Sequence, residues 1–400
     1  MTTPRSVLTK EVEMRVENTR QAMERRGYDA LIVYGTNKVC GSLRYLTDYF
    51  PDRAGWTSLG PDKTYLFEGG AFVLPLRGEP ALVLEPGLFP GKRVCVKNIV
   101  APGLVPKKGD SFAKYVAEQL AGAGAPKKVG IESWHRFPAP SYLELRELVP
   151  QIEFLHSTIV EEMRMVKSPL EVDLISQGAL VGDVGHQTVT ECLRSGIGKT
   201  ELEIIRACEQ AMRDLDPIYE DSCTGSPSLI SSGSPIEGAL LVLPQNTKRI
   251  ARGDVVHWDI DLRYEGYPID TSRTRVIGKA TDAQKSAYEV SLEMHEAVLR
   301  AAKPGTKAHD LASVADQVAR KHGFQLWEKF LGHGVGLDTH ERPDMGIEET
   351  RLAANMVLAI EPRIATDAMW VFGNEDMVLV TDTGGVPLTH FPKTPLELEA

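Results

Sequence analysis

The sequence predicts a layered α/β protein built as two domains, residues 1–160 and 161–400. Short apolar runs of strand length alternate with amphipathic stretches of helical period, the signature of sheets covered by helices. A chain of 400 residues with 42% apolar content can fill more than one core, which makes it soluble and globular in expectation. A helix-opening signature close to residue 165 marks where one domain gives way to the next.

In the first domain, residues 10–26 form an expected helix, with Val12, Val16 and Met23 on one side and Gly27 placed to end it. Residues 29–35 read as a buried strand, and further strand-length pieces follow at 70–76, 80–84 and 129–132. Helices are expected over 112–122 and around 142–148. The boundary signature is Ser168-Pro169-Leu170-Glu171: serine caps, proline suits the first helical turn, and glutamate completes a capping box. Leu170, Leu174, Val181 and Val184 supply the apolar side of the long helix that follows, while Gly178, Gly182 and Gly185 mark close packing. Thr200 with Glu203, and Thr281 with Gln284, open two more capped helices at 201–213 and 282–302. Pro304-Gly305 and Gly323 punctuate the end of the second and of its successor. Residues 221–246 are loop-rich, and the apolar run at 239–243 suggests a pocket wall.

Composition excludes several classes of function. With 45 basic against 55 acidic residues the net charge is −10, and no basic cluster offers a face to nucleic acid. Apolar runs stop far short of a membrane span. Residues 1–25 carry charges throughout and lack a signal-peptide core, so the cytoplasm is the expected compartment. Cys40, Cys95, Cys192, Cys208 and Cys223 show no metal-type spacing and read as reduced thiols.

The chemistry concentrates in residues 253–274, which read as a hairpin turning at Tyr264-Glu265-Gly266. Alternation places His257, Asp259 and Asp261 on one face, and Asp270 on the return strand is expected to meet Asp259 across it. Facing carboxylates repel unless a cation lies between them, and hard divalent cations prefer such oxygen ligands. Downstream, Gly332-His333-Gly334-Val335-Gly336, Thr339-His340-Glu341-Arg342-Pro343, Ala359-Ile360-Glu361-Pro362 and Asn374-Glu375-Asp376 supply imidazoles and further carboxylates.

In this ordered set the chain resembles the creatinase/methionine aminopeptidase/aminopeptidase P/prolidase family. Asp259, Asp270, His333, Glu361 and Glu375 match its metal positions, and Tyr45-Leu46-Thr47-Asp48-Tyr49-Phe50 resembles its N-terminal Y-L-T-G-F segment. The resemblance implies a creatinase-like α/β domain followed by a pita-bread catalytic domain holding two divalent ions. Asp270 and Glu375 would bridge them, Asp259 would serve one, and His333 with Glu361 the other. Manganese is the expected metal, with zinc, iron or cobalt as alternatives, because oxygen-rich sites discriminate poorly. Glu361 would join His340 in the chemistry, His340 as the outer-sphere group that binds the substrate carbonyl or shuttles a proton. A homodimer is implied, the N-terminal domain of one chain closing the site of the other.

The implied activity is hydrolysis of a C–N bond in a small substrate, first an Xaa-Pro dipeptide or aminopeptidase substrate. An alternative is a non-peptidase acting on a small zwitterion, such as ectoine hydrolase, creatinase or dimethylsulfoniopropionate lyase. A pseudoenzyme binding module is a third reading, and the intact ligand set argues against it. Departures from the family bear on substrate. His257 and Asp261 stand where an aliphatic residue and glycine are usual, so Asp261 is a candidate sixth ligand or an acceptor orienting one. The Asp-x-Asp pair with Ser272-Arg273-Thr274 resembles the lyase branch, which lacks the histidine that His340 supplies. Leu241 replaces the histidine of the peptidases' H-Y-x-P segment, and Gly373 stands where an arginine commonly precedes the last metal glutamate. Loss of a hydrogen-bonding partner favours a compact substrate over an extended peptide.

Overall fold

The computed structural model describes residues 4–51, 57–59, 64–66, 69–85, 88, 90, 93–102, 110–122, 124–195, 197–215, 228–233, 244–327, 331–365 and 371–399. It divides into two compact units, Met1–Arg164 and Met165–Ala400.

The N-terminal unit is a six-stranded mixed sheet in the spatial order Asn98–Val100, Ala81–Leu84, Gly69–Pro75, Ala30–Thr36, Lys128–Glu132, Glu153–His156. Ala30–Thr36 pairs antiparallel with Gly69–Pro75 and parallel with Lys128–Glu132, so buried apolar runs fill the centre. Phe112–Gly122 and Ala139–Leu148 cover one face, and Phe112, Val116, Leu120 and Leu145 join Ile32 and Ile131 in its core. The first helix, Arg5–Arg26, starts earlier than its apolar pattern suggested and ends at Gly27 in the left-handed region, φ 72°. A short helix, Gly41–Thr47, ends on Asp48 at φ 52°. Aspartate tolerates that conformation better than most side chains, which suits the place where the similar family segment has glycine.

Among the described residues the C-terminal unit holds two larger, mainly antiparallel sheets and the two-stranded ribbon of Arg363–Ala365 with Val371–Gly373. The first runs Glu397–Leu398, Tyr267–Ile277, Val255–Tyr264, Leu229–Gly233, with only the outermost Glu397–Leu398 joined in parallel. The second runs Glu341–Asp344, Gly332–Gly334, Val357–Ile360, Asp376–Thr381, Gly384–Pro387. Helices Asp282–Ala301 and Asp310–Lys321 bring Met294, Val298 and Leu311 onto Leu358, Ile360 and Val378 of that sheet. All three capping boxes form: Ser168, Thr200 and Thr281 each exchange hydrogen bonds with the residue three positions on.

The long helix, Pro169–Ser195, lies along the back of the hairpin, with Leu174, Val181 and the three glycines packed as expected and Val184 turned outward. Val184 is 36% exposed, while Gly178, Gly182 and Gly185 are buried with Leu174 and Val181. A Cβ on Gly178 would stand 2.8 Å from Ile269 Cδ1, and one on Gly185 2.7 Å from Met212 Sδ and 2.9 Å from Ile260 Cδ1. Absent side chains thus set the helix close enough to support the strands beneath it.

Among the described residues no helix is long and apolar enough to cross a membrane, and Cys95, Cys192 and Cys208 are free thiols. The apolar run at 239–243, with Leu241, and Cys223 lie outside the described residues.

Candidate metal centre

The hairpin turns on two residues, Glu265 at φ 49° and Gly266 at φ 88°, the positive pair that matches the twist of antiparallel strands. Tyr264 therefore opposes Tyr267, which sets every other pair. Asp261, not Asp259, lies directly opposite Asp270, and Asp259 opposes Ser272. The expected meeting of Asp259 with Asp270 occurs on the diagonal, still within reach of side chains on one face. Trp258 and Ile260 alternate to the helix side, where Trp258 Nε1 donates to His186 Nδ1 at 2.8 Å.

The second sheet supplies the other groups. At Gly332, φ 135°, a Cβ would stand 1.9 Å from the Ala359 carbonyl oxygen, so only glycine lets these strands approach. His333 follows, and its Nδ1 lies 3.1 Å from the Gly334 carbonyl oxygen. Nδ1–H donates there, which leaves Nε2 facing Asp270 Oδ2 at 3.5 Å and Glu361 Oε1 at 3.9 Å. Glu361 ends the strand Val357–Ile360, its amide donating to Leu331 O at 2.9 Å. Glu375 is tied to the hairpin: its amide donates to Ser272 O at 3.0 Å, and its carbonyl accepts from Thr271 Oγ1 at 2.8 Å and Arg273 Nη1 at 2.7 Å.

Three overlapping groups offer ligand atoms within 4.8 Å of one another: Asp259, Asp270 and Glu375; His333, Glu361 and Glu375; and Asp270, His333 and His340. The sequence-derived five are thus brought together. His340 sits beside them with its ring centroid 4.1 Å from that of His333, and it is exposed where they are buried. His257 and Asp261 fall in none of these groups. Asp261 is half-buried and faces Asp270, whereas His257 turns its Nδ1 to Thr274 Oγ1 at 3.0 Å.

The electrostatics of the cluster call for positive charge. Burial, then the neighbouring acids, hold Asp259 and Glu375 well above the usual carboxylate range, with Asp261 raised for the same reasons. Burial also raises Glu361, against the charges of Arg363 and His333. At Asp270 burial is outweighed by the hydrogen bond and charge of His333, so this carboxyl lies below its usual value. Burial lowers His333, yet Asp270 and Glu361 push it up to about 9. Asp259 Oδ1 and both Glu375 carboxylate oxygens are buried without a hydrogen-bond partner. Oxygen-rich donors with one imidazole, and orphaned acids among them, fit divalent cations.

The residue that sequence reasoning missed is Arg363. It is 6% exposed and its Nη2 lies 2.5 Å from Glu361 Oε2, with Glu375, Asp259 and Asp270 also acting on its charge. An arginine two residues past a motif glutamate carries no signal by itself. Its burial follows from the ribbon of Arg363–Ala365 with Val371–Gly373, in which it opposes Gly373.

Two family models cover most of the chain: a creatinase/prolidase N-terminal domain over residues 15–166, and metallopeptidase family M24 over residues 173–382. An Xaa-Pro dipeptidase of Pyrococcus horikoshii is 32% identical over 335 residues, 82% of this chain and 88% of that one. The chain belongs to metallopeptidase family M24. Solved structures agree with this M24 assignment. The prolidase from Pyrococcus horikoshii OT3 superposes with a TM-score of 0.76 at 25% identity, covering 95% of this chain and 99% of that one. Dipeptidase PepE from Mycobacterium ulcerans shares the fold at a TM-score of 0.79 and 24% identity, covering 98% and 99%. The N-terminal unit of this M24 member is thus creatinase-like, and its C-terminal unit has the pita-bread fold expected from the resemblance. Membership in M24 implies divalent metal ions, for which the cluster has the donors.

Proposed function

We propose that this M24 member is a dinuclear, manganese-loaded hydrolase of Xaa-Pro dipeptides. Asp259, Asp270, His333, Glu361 and Glu375 are its ligands. The observation that carries the reading is the convergence of these five side chains, with carboxylate oxygens buried and unpartnered among them. The Pyrococcus horikoshii relative supports the dipeptide assignment.

Bound divalent ions would supply Lewis acidity and activate water at neutral pH. The chain's own residues do the rest. His333 is held in one tautomer by the Gly334 carbonyl, so Nε2 stays turned toward the carboxylates. Glu361 keeps Oε1 on the His333 side while Arg363 engages Oε2. His340, with its ring 4.1 Å from that of His333, is lowered by partial desolvation, and it can bind a carbonyl or pass a proton. At the sequence level, Leu241 in place of the H-Y-x-P histidine removes a donor, which favours dipeptides over longer peptides.

The test is a manganese-supplemented assay of Xaa-Pro dipeptides, Xaa-Pro-led tripeptides, ectoine, creatine and dimethylsulfoniopropionate side by side. Dipeptide turnover is the expected result. Turnover of only a non-peptide compound would refute the dipeptidase reading, and rapid tripeptide turnover would refute the compact-substrate argument. Metal analysis of protein purified without chelator should give two equivalents of divalent ion, and fewer than one would remove the dinuclear centre. A homodimer in the cytoplasm completes the proposal, and light scattering should give twice the 44.0 kDa chain mass.

A further inference from the structure

Arg363 is a permanent cation built into an acidic cluster. The strand Arg363–Ala365 pairs antiparallel with Val371–Gly373, and Arg363 opposes Gly373. A Cβ at residue 373 would stand 2.8 Å from Arg363 Cγ and 2.8 Å from the Pro362 carbonyl oxygen. The ribbon therefore has room for the arginine stem only because residue 373 has no side chain. The guanidinium is enclosed, with Glu361 Oε2 at 2.5 Å from Nη2 and the charges of Glu361, Glu375, Asp259 and Asp270 acting on it. His257 is buried within reach of the Arg363 charge, with Nδ1 3.0 Å from Thr274 Oγ1 and Nε2 without a hydrogen-bond partner. Unlike lysine or histidine, arginine does not shed its proton when the surroundings change.

We propose that Arg363 is a positioning residue and resident counter-ion: it fixes Glu361 through Oε2, leaves Oε1 toward His333, and offsets the carboxylates so that the unloaded centre stays folded. This rests on the divalent-metal reading above. Two consequences separate the role from ordinary packing. A fixed positive charge repels divalent ions, so Arg363 favours the unloaded state relative to the loaded one. It also restrains one ligand, so its loss harms turnover even where metal still binds.

The experiment compares wild type, Arg363→Met and Arg363→Lys by melting temperature with chelator and with excess manganese, by metal equivalents bound, and by kcat. With chelator, Arg363→Met should melt roughly 5–15 °C below wild type, because buried carboxylates lose their counter-charge. With manganese that gap should close by more than half, metal affinity should be equal or tighter, and kcat should still fall about 10- to 100-fold. Arg363→Lys should recover most of the chelated melting temperature while kcat stays low, since a point charge does not reproduce the planar fork. If Arg363→Met does not fold, the lysine variant and Arg363→Gln carry the same comparison. Equal losses of melting temperature with and without metal, or loss of metal from the variants, would overturn the proposal while the metal reading stands. Failure of the wild type itself to take up divalent ions would end both.

Discussion

Asp259 and Asp270 sit on one face of a hairpin, buried, and neither can be replaced by a neutral group without changing what the other experiences. Removing Asp270 takes away a carboxylate shared by two of the three ligand groups and the partner of His333 Nε2. Asp270→Ala should therefore lose both metal and activity, read by metal analysis and by turnover of the same preparation. His340 lies outside the buried set, so His340→Ala should retain metal while kcat falls about 10²- to 10⁴-fold. Equal metal loss in the two variants would make His340 a ligand or a structural group instead. At this scale the sequence was most readable where residue type is restrictive. Carboxylates in register on a strand, and a histidine between glycines, have few other reasons to recur in that order. Arg363 was not readable, because arginines are common on surfaces and only the pairing with Gly373 buries this one.

Elements were legible where their ends carry their own chemistry. Ser168, Thr200 and Thr281 announce helices because their side chains satisfy backbone donors that no other arrangement would serve. The face of the helix Pro169–Ser195 was legible in Leu174, Val181 and the three glycines but misread at Val184, and its close approach rests partly on those glycines. Gly185 and Gly182 test this directly. Gly185→Leu would force a branched side chain into the space held by Met212 and Ile260, and should cost about 1–3 kcal/mol in denaturant unfolding. At Gly182 the nearest atom to an added Cβ is 3.5 Å away, an ordinary contact. Gly182→Ala should be neutral or stabilising by up to about 1 kcal/mol, because alanine is the better helix former. Comparable losses at both positions would mean that the helix face is set by something other than close approach. The hairpin register belongs to the same scale: a turn was readable at Tyr264-Glu265-Gly266, but its two central residues put Asp261 opposite Asp270, where four would have put Asp259.

Across the catalytic unit, stability depends on charges remote in sequence that meet behind the centre, and such pairings leave no local trace in a chain read once from end to end. Asp376, next to Glu375, accepts from Arg273 Nη2 at 2.8 Å and Thr389 Oγ1 at 2.8 Å and pairs with Lys393. His295, on the helix Asp282–Ala301, lies 3.4 Å from Asp376 Oδ2. One carboxylate thus ties the hairpin, the second sheet, a covering helix and the chain's last segment together. Its carboxyl is held far below the usual range: burial opposes this, but Arg273, His295 and Lys393 prevail. Burial lowers His295 to about 4 from 6.5, against the pull of Asp376 and with help from Lys393 and Arg273. The sign of the resulting pH dependence follows from proton counting. Below pH 6.5 the unfolded chain protonates this imidazole and the folded one does not, so folding loses stability as pH falls, until the folded group also titrates near pH 4. His295→Gln removes that uptake and leaves the other buried groups in place. Measured from pH 7 to pH 4 by urea unfolding, stability of the wild type should fall more steeply than that of the variant, by up to about 1.4 kcal/mol per pH unit. Parallel curves would mean that His295 is already protonated in the folded protein at neutral pH, and that Asp376 rather than burial governs it.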